Sequence, residues 1–167
     1  MSTAQSTLTR FRLNGAPVSI EAAPKDLLLD VLRDVFRLRG PKYGCGRAQC
    51  GACSVLVDGK IARACVLRAA RVDGAEVTTL EGLAEGDRLH PVQQAFVEKQ
   101  GAQCGYCLNG MVMTACALLA QEPAPDRARI REALRDNICR CGTHQEIIES
   151  VEQAARLMAA AREVSHG

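Results

Sequence analysis

Eight of the nine cysteines in this 167-residue chain fall into two groups of four, and that grouping constrains the fold more than any other feature. Cys45, Cys50 and Cys53 stand at C-x4-C-x2-C spacing, and Cys65 follows after eleven intervening residues. Cys104 and Cys107 form a C-x2-C pair, Cys139 and Cys141 a C-x-C pair, and Cys116 is left over. An odd count fits poorly with a fully paired disulfide framework. The first ten residues are polar, without the apolar core of a leader or a twin arginine, and no apolar run is long enough to span a bilayer. The expectation is therefore a cytoplasmic protein without membrane insertion, in which clustered cysteines serve as metal ligands.

The length suits two compact domains of roughly 80 residues each. Hydrophobic residues make up 47% of the chain, aromatics only 3%, and Trp is absent, so any core must be aliphatic. Domains this small often lean on a metal for stability. Residues 8–22 read as a hairpin, because Phe11, Leu13, Val18 and Ile20 alternate with polar positions around Asn14-Gly15. Residues 27–38 have helical periodicity, with Asp26 as N-cap and Gly40-Pro41 as the stop. After the glycine-rich cysteine loop come strands at 54–57 and 61–66 around Asp58-Gly59, and another near 76–79. Beyond residue 82 nearly everything is helical: 90–100, 105–121, 126–137 and 145–163. The pattern predicts an α+β domain over 1–82 and a four-helix domain over 83–167.

The first quartet has the spacing of plant-type ferredoxins, in which four thiolates hold a 2Fe-2S cluster. Three ligands come from one loop and the fourth, Cys65, from the far strand of the predicted hairpin. Gly44, Gly46 and Gly51 let backbone N–H groups approach the sulfurs, and such donors stabilise a formally dianionic cluster. Loop length and the distant fourth cysteine favour iron-sulfur over a structural zinc site. Lys42 and Arg47 read as solvated surface charges.

The second quartet is less specific. Cys104 and Cys107, three apart at the start of a helix, present both thiolates on one face. Cys139 and Cys141 cannot share a helix face, so they must sit in a turn, bracketed by Asn137 and Gly142. The spacing alone is also compatible with zinc; a neighbouring ferredoxin loop favours a second 2Fe-2S cluster and a relay. Cys116 lies ~13.5 Å along a continuous helix from Cys107 and reads as a buried thiol. His90, His144 and His166 stand singly, and Met111 and Met113 read as core.

These residues carry a family resemblance. Tyr43-Gly44-Cys45-Gly46, Gln49-Cys50-Gly51-Ala52-Cys53, Gln103-Cys104-Gly105-Tyr106-Cys107 and Asn137-Ile138-Cys139-Arg140-Cys141 make the chain similar to the small iron-sulfur subunit of the molybdenum hydroxylases, the xanthine oxidase family. The resemblance implies that Cys45, Cys50, Cys53 and Cys65 hold the cluster distal to molybdenum, and that Cys104, Cys107, Cys139 and Cys141 hold the proximal one. It implies that Gln103 and Cys141 touch a molybdopterin cofactor, in its cytosine dinucleotide form, carried by a large partner subunit. Leu108-Asn109-Gly110 and Gly142-Thr143-His144 depart from the commoner family sequences and resemble bacterial N-heteroaromatic hydroxylases such as nicotinate dehydrogenase.

The implied role is electron transfer, with no catalytic acid, base or nucleophile on this chain. The alternatives are a free two-cluster carrier, or the corresponding subunit of an aldehyde, xanthine or carbon monoxide dehydrogenase. No dinucleotide or haem attachment motif is present, so any flavin, nicotinamide or haem used must sit on another chain; the family resemblance allows either a flavin subunit or a cytochrome c domain as acceptor. A net charge of +2, with basic residues spread along the chain, gives no footprint for nucleic acid.

Overall fold

The computed structural model describes residues 6–166. β1 (Thr7–Leu13) and β2 (Ala16–Ala22) form the expected hairpin, with Asn14 at φ 52° and Gly15 at φ 82° making the two-residue turn. Positive φ at both central positions matches the twist of the flanking strands, which is what Asn-Gly supplies. β3 (Ser54–Val57), β4 (Lys60–Arg63) and β5 (Glu76–Thr78) complete a mixed sheet of order β2-β1-β5-β3-β4. Only β1 and β5 run parallel among its neighbouring pairs.

The helix expected over 27–38 is shorter and wider. α1 (Leu28–Asp30) passes directly into a π turn at Val31–Val35. The chain then leaves the helix with Arg37 at φ 58°. Asp26 does not cap it: its carboxylate accepts instead from the Ala23 N–H at 2.8 Å. Burial explains the distortion. Leu28, Leu29, Val31 and Leu32 are all buried, and Phe36 meets Phe11 edge-on at 6.1 Å. These side chains join Val55, Val72 and Val77 in one aliphatic core beneath the sheet.

A second core lies among α2 (Pro91–Glu98), α3 (Leu108–Gln121), α4 (Arg127–Leu134) and α5 (His144–His166). His90 is the N-cap of α2: its Nδ1 accepts from the Val92 N–H at 3.2 Å while the Gln93 side chain accepts from the His90 N–H. Asp126 caps α4 by accepting from the Arg129 N–H at 2.7 Å. α3 is buried continuously from Asn109 to Leu119, Met111 and Met113 included, because it is the central helix and also packs against β3. No helix among the described residues is long and apolar enough to cross a membrane.

Candidate metal centres

The loop before β3 is built to turn backbone donors inward. Gly46 (φ 67°), Ala48 (φ 61°) and Gly51 (φ 79°) reverse the chain between the cysteines. The N–H groups of Arg47 and Gln49 donate to Cys45 Sγ, and that of Cys45 to Cys50 Sγ, each at 3.3 Å. Gly44 is required by closeness: a Cβ there would lie 2.6 Å from Cys50 Sγ. Burial pushes the Cys45 thiol up, but the converging N–H groups outweigh it and bring it down to about 7. Cys53, deeper, is pushed up to about 12 by burial, with Cys65 in hydrogen-bond reach. Cys65 corrects the sequence expectation slightly. β4 ends at Arg63, and Cys65 sits in the turn that follows, where the Val66 and Leu67 N–H groups fold back on the Arg63 carbonyl.

The second quartet differs more from expectation. α3 begins at Leu108, so Cys104 is not on it. Gly105 at φ 76° cannot be helical, and the turn it makes exposes Cys104 while Cys107 is buried as the N-cap. Cys139 and Cys141 do occupy a turn beyond α4, closed by Gly142 at φ 85°. Cys104 and Cys141 come within hydrogen-bond reach of each other, as do Cys107 and Cys139. Burial, then Cys139, push Cys107 up to about 12. At Cys139 burial is outweighed by the Thr143 hydroxyl and the Cys141 and Gly142 N–H groups, which bring it down to about 7.

The two quartets face each other. A crevice of about 300 Å³ is lined by Cys45 and Cys50 on one side and by Cys104, Cys107 and Cys139 on the other. Its walls are tied together. The Ile138 N–H donates to the Cys50 carbonyl at 3.0 Å, and the Tyr106 hydroxyl to the Tyr43 carbonyl. The Asn109 amide donates to the Ala52 carbonyl at 3.0 Å and the Ser54 carbonyl at 2.8 Å, on either side of Cys53. Arg63 reaches from the end of β4 to the main chain at Asp136. None of these ties was visible in the sequence. The only signals were a polar residue one place into an apolar helix and a cation two residues before a cysteine.

The donor set fits 2Fe-2S clusters. Each quartet offers thiols and no other ligand type, gathered as close pairs with N–H donors on the sulfurs, and in the first a glycine stands where a Cβ would intrude. Gln103 is exposed beside exposed Cys104, and Cys141 is half-buried. Cys116 is apart from both groups, 8% exposed in the helical core and 3.9 Å from His90 Nδ1. Burial pushes its thiol up to about 12.

The fold and site define a class: residues 11–87 match the model of the 2Fe-2S iron-sulfur cluster binding domain, and residues 79–152 that of the 2Fe-2S binding domain. The chain belongs to the small iron-sulfur subunits of the molybdenum hydroxylase family, which are parts of oxidoreductases. It is 52% identical over 151 residues to a nicotinate dehydrogenase subunit of Pseudomonas putida, spanning 90% of this chain and 96% of that one. It is 44% identical to the alpha subunit of isoquinoline 1-oxidoreductase of Brevundimonas diminuta, over 89% of this chain and 98% of the other. A chain of quinoline 2-oxidoreductase from Pseudomonas putida 86 superposes with a TM-score of 0.89 at 37% identity, over 95% and 98% of the two chains.

Proposed function

We propose that this chain is the electron relay of a molybdenum hydroxylase acting on an N-heteroaromatic substrate such as nicotinate. In this reading Cys45, Cys50, Cys53 and Cys65 hold one 2Fe-2S cluster, and Cys104, Cys107, Cys139 and Cys141 hold the other. When bound, each cluster supplies a site that stores one electron at a time. The observation that carries the reading is the shared crevice, which brings Cys45 and Cys50 of the first quartet to the same cleft as Cys104, Cys107 and Cys139 of the second. The residues of the chain supply everything else. Backbone N–H groups at 45, 47 and 49 hold negative charge on sulfur, and buried Cys53, Cys65 and Cys107 keep water from one side of each site.

The relay has a direction. Cys104 and Gln103 are exposed, so the second quartet is the one that meets a large subunit carrying molybdopterin, in its cytosine dinucleotide form. The Gln103 amide can both donate to and accept from a pterin edge, and Cys141 brings its cluster against it. Electrons leave past Cys45 to a flavin subunit or cytochrome c domain. The first domain, residues 1–82, is plant-type ferredoxin-like with a β-grasp sheet, and the second, 83–167, is the four-helix cluster-binding domain. The complex works in the cytoplasm.

The test is purification of the native complex with metal analysis and EPR of the dithionite-reduced protein. Expected are about four irons per chain, two distinct reduced-cluster signals and a copurifying molybdenum protein. A colourless chain rejects iron-sulfur, and an iron-loaded chain that never copurifies with a molybdenum protein points to a free carrier.

A further inference from the structure

Arg63 is a half-buried cation with no carboxylate partner among the described residues. Its Nη1 donates to Ser54 Oγ and, at 3.4 Å, to Asn137 Oδ1; its Nη2 donates to the Asp136 carbonyl at 3.1 Å. The nearest acidic residue along this contact, Asp136, gives Arg63 only its backbone oxygen, while its carboxylate lies 3.7 Å from Arg135 Nε. A guanidinium drawn partly out of water and bonded only to neutral acceptors is stabilised by a negative charge placed near it.

The positions of its partners say which charge that is. Arg63 stands two residues before Cys65, Ser54 directly follows Cys53, and Asn137 precedes Cys139 by two. The guanidinium is thus held by chain neighbours of Cys53 and Cys139, one thiol from each quartet, and is carried by a residue two places from Cys65. Asn137 is itself buried and held by Thr114, its Nδ2 donating to Thr114 Oγ1 at 3.2 Å, so the seat of the fork is rigid. Gly51 keeps the approach close: a Cβ there would lie 2.1 Å from Asn137 Oδ1.

We propose that Arg63 is a positioning and charge-tuning residue shared by the two iron-sulfur sites, its guanidinium balanced by the negative charge of both clusters rather than by a carboxylate. The inference rests on the two-cluster reading above. Two separable effects follow. The positive charge favours the reduced form at each site, because reduction adds one negative charge near it. The planar fork, with one nitrogen toward Ser54 and Asn137 and the other toward Asp136, fixes the first loop against the turn that bears Cys139; a lysine ammonium offers the charge without that geometry.

The experiment is an EPR-monitored redox titration of the holoprotein complex as wild type, Arg63→Lys and Arg63→Gln, with iron content measured on each. Two cluster signals in the wild type establish the two-cluster reading independently of the variants. Arg63→Gln is expected to lower both midpoint potentials, read as a several-fold smaller ratio of reduced to oxidised cluster at fixed poise. Arg63→Lys is expected to hold both potentials near wild type while weakening the magnetic interaction between the two reduced clusters. Potentials unchanged in Arg63→Gln overturn the proposal, as does a fall of equal size in Arg63→Lys. If Arg63→Gln fails to retain iron while Arg63→Lys is fully loaded, the need for charge stands; loss of iron from both variants overturns it in favour of packing alone.

Discussion

The Ile138 N–H donates to the carbonyl of Cys50 across 3.0 Å, joining the residue before one thiol of the second quartet to a thiol-bearing residue of the first. No side chain is involved, so the tie depends on the turn geometry after α4 and on the glycine-shaped cysteine loop together. Ile138→Pro removes the donor and restricts Asn137 as well. The expected cost is about 1–3 kcal/mol of stability, with iron lost first from the second quartet. Thermal denaturation and iron counts on the purified variant check this.

Two glycines separate closeness from backbone freedom. A Cβ at Gly110 would sit 2.4 Å from the Gly51 carbonyl oxygen, a backbone atom that cannot swing aside. Gly74, at φ 75°, has open space around it. Gly110→Ala should therefore prevent α3 from closing on the cysteine loop, giving poorly loaded or insoluble protein despite alanine's higher helix propensity. Gly74→Ala should cost only the strain of a left-handed residue, about 1 kcal/mol. Soluble yield and visible absorption of the two variants distinguish them.

Much of this architecture is legible from residue order because it is local. Asn14-Gly15 dictates a hairpin, His90-Pro91 starts a helix, and the thiol spacing announces two metal-binding groups. What escapes is what depends on packing across the chain. The π turn at Val31–Val35 exists because four apolar side chains and Phe36 all face the sheet, a demand periodicity does not record. Cys104 falls off the helix because Gly105 takes a positive φ, which sequence permits but does not require. The ties across the crevice come from Asn109, Arg63 and Ile138: Asn109 reaches Ser54 and Ala52 from 55 and 57 residues away, and Arg63 reaches Asp136 from 73. Family resemblance named the subunit class, but spacing had no means of showing how the two loops are fastened.

Asn109 is fully buried, donates twice to β3 and its approach, and leaves its Oδ1 without a protein partner. Leucine there removes both donated bonds and the orphaned oxygen together, so Asn109→Leu should cost about 1–2 kcal/mol. Asn109→Asp puts a carboxylate against two carbonyl oxygens in a buried site and should cost about 3 kcal/mol or more. Chemical denaturation of the loaded protein should give the order wild type, leucine, aspartate. The reverse order would mean the amide donors contribute nothing.

Cys116 separates the ninth cysteine from the other eight. Its sulfur is buried among the helices and its thiol stays protonated, so it packs as a small apolar group. Cys116→Ala should leave the iron count and EPR signals unchanged and lower stability by about 1 kcal/mol for the small cavity. Serine at Cys53 or Cys107 should instead abolish one signal each, from different quartets.

Glu81 links acidity to the entrance of the first cysteine loop. One carboxylate oxygen accepts from the Arg39 N–H at 2.7 Å and the Gly40 N–H at 2.6 Å, and the other from the Thr79 hydroxyl at 2.8 Å. Burial pushes this carboxyl up, but the Gly40 N–H, the Thr79 hydroxyl and the Arg39 N–H outweigh it, and the group lies below its ordinary value. A carboxylate depressed in the folded state stabilises fully above its unfolded pKa, and the stabilisation is lost as pH falls through the lower folded value. Wild type should therefore lose stability on acidification more steeply than Glu81→Gln, with the gap between them largest near neutrality and closing below about pH 4. Paired melting curves from neutral to acid pH read this directly, since acid damage to the clusters is common to both proteins. A gap that stays constant across that range would show that the carboxylate's charge has no part in holding residues 39 and 40.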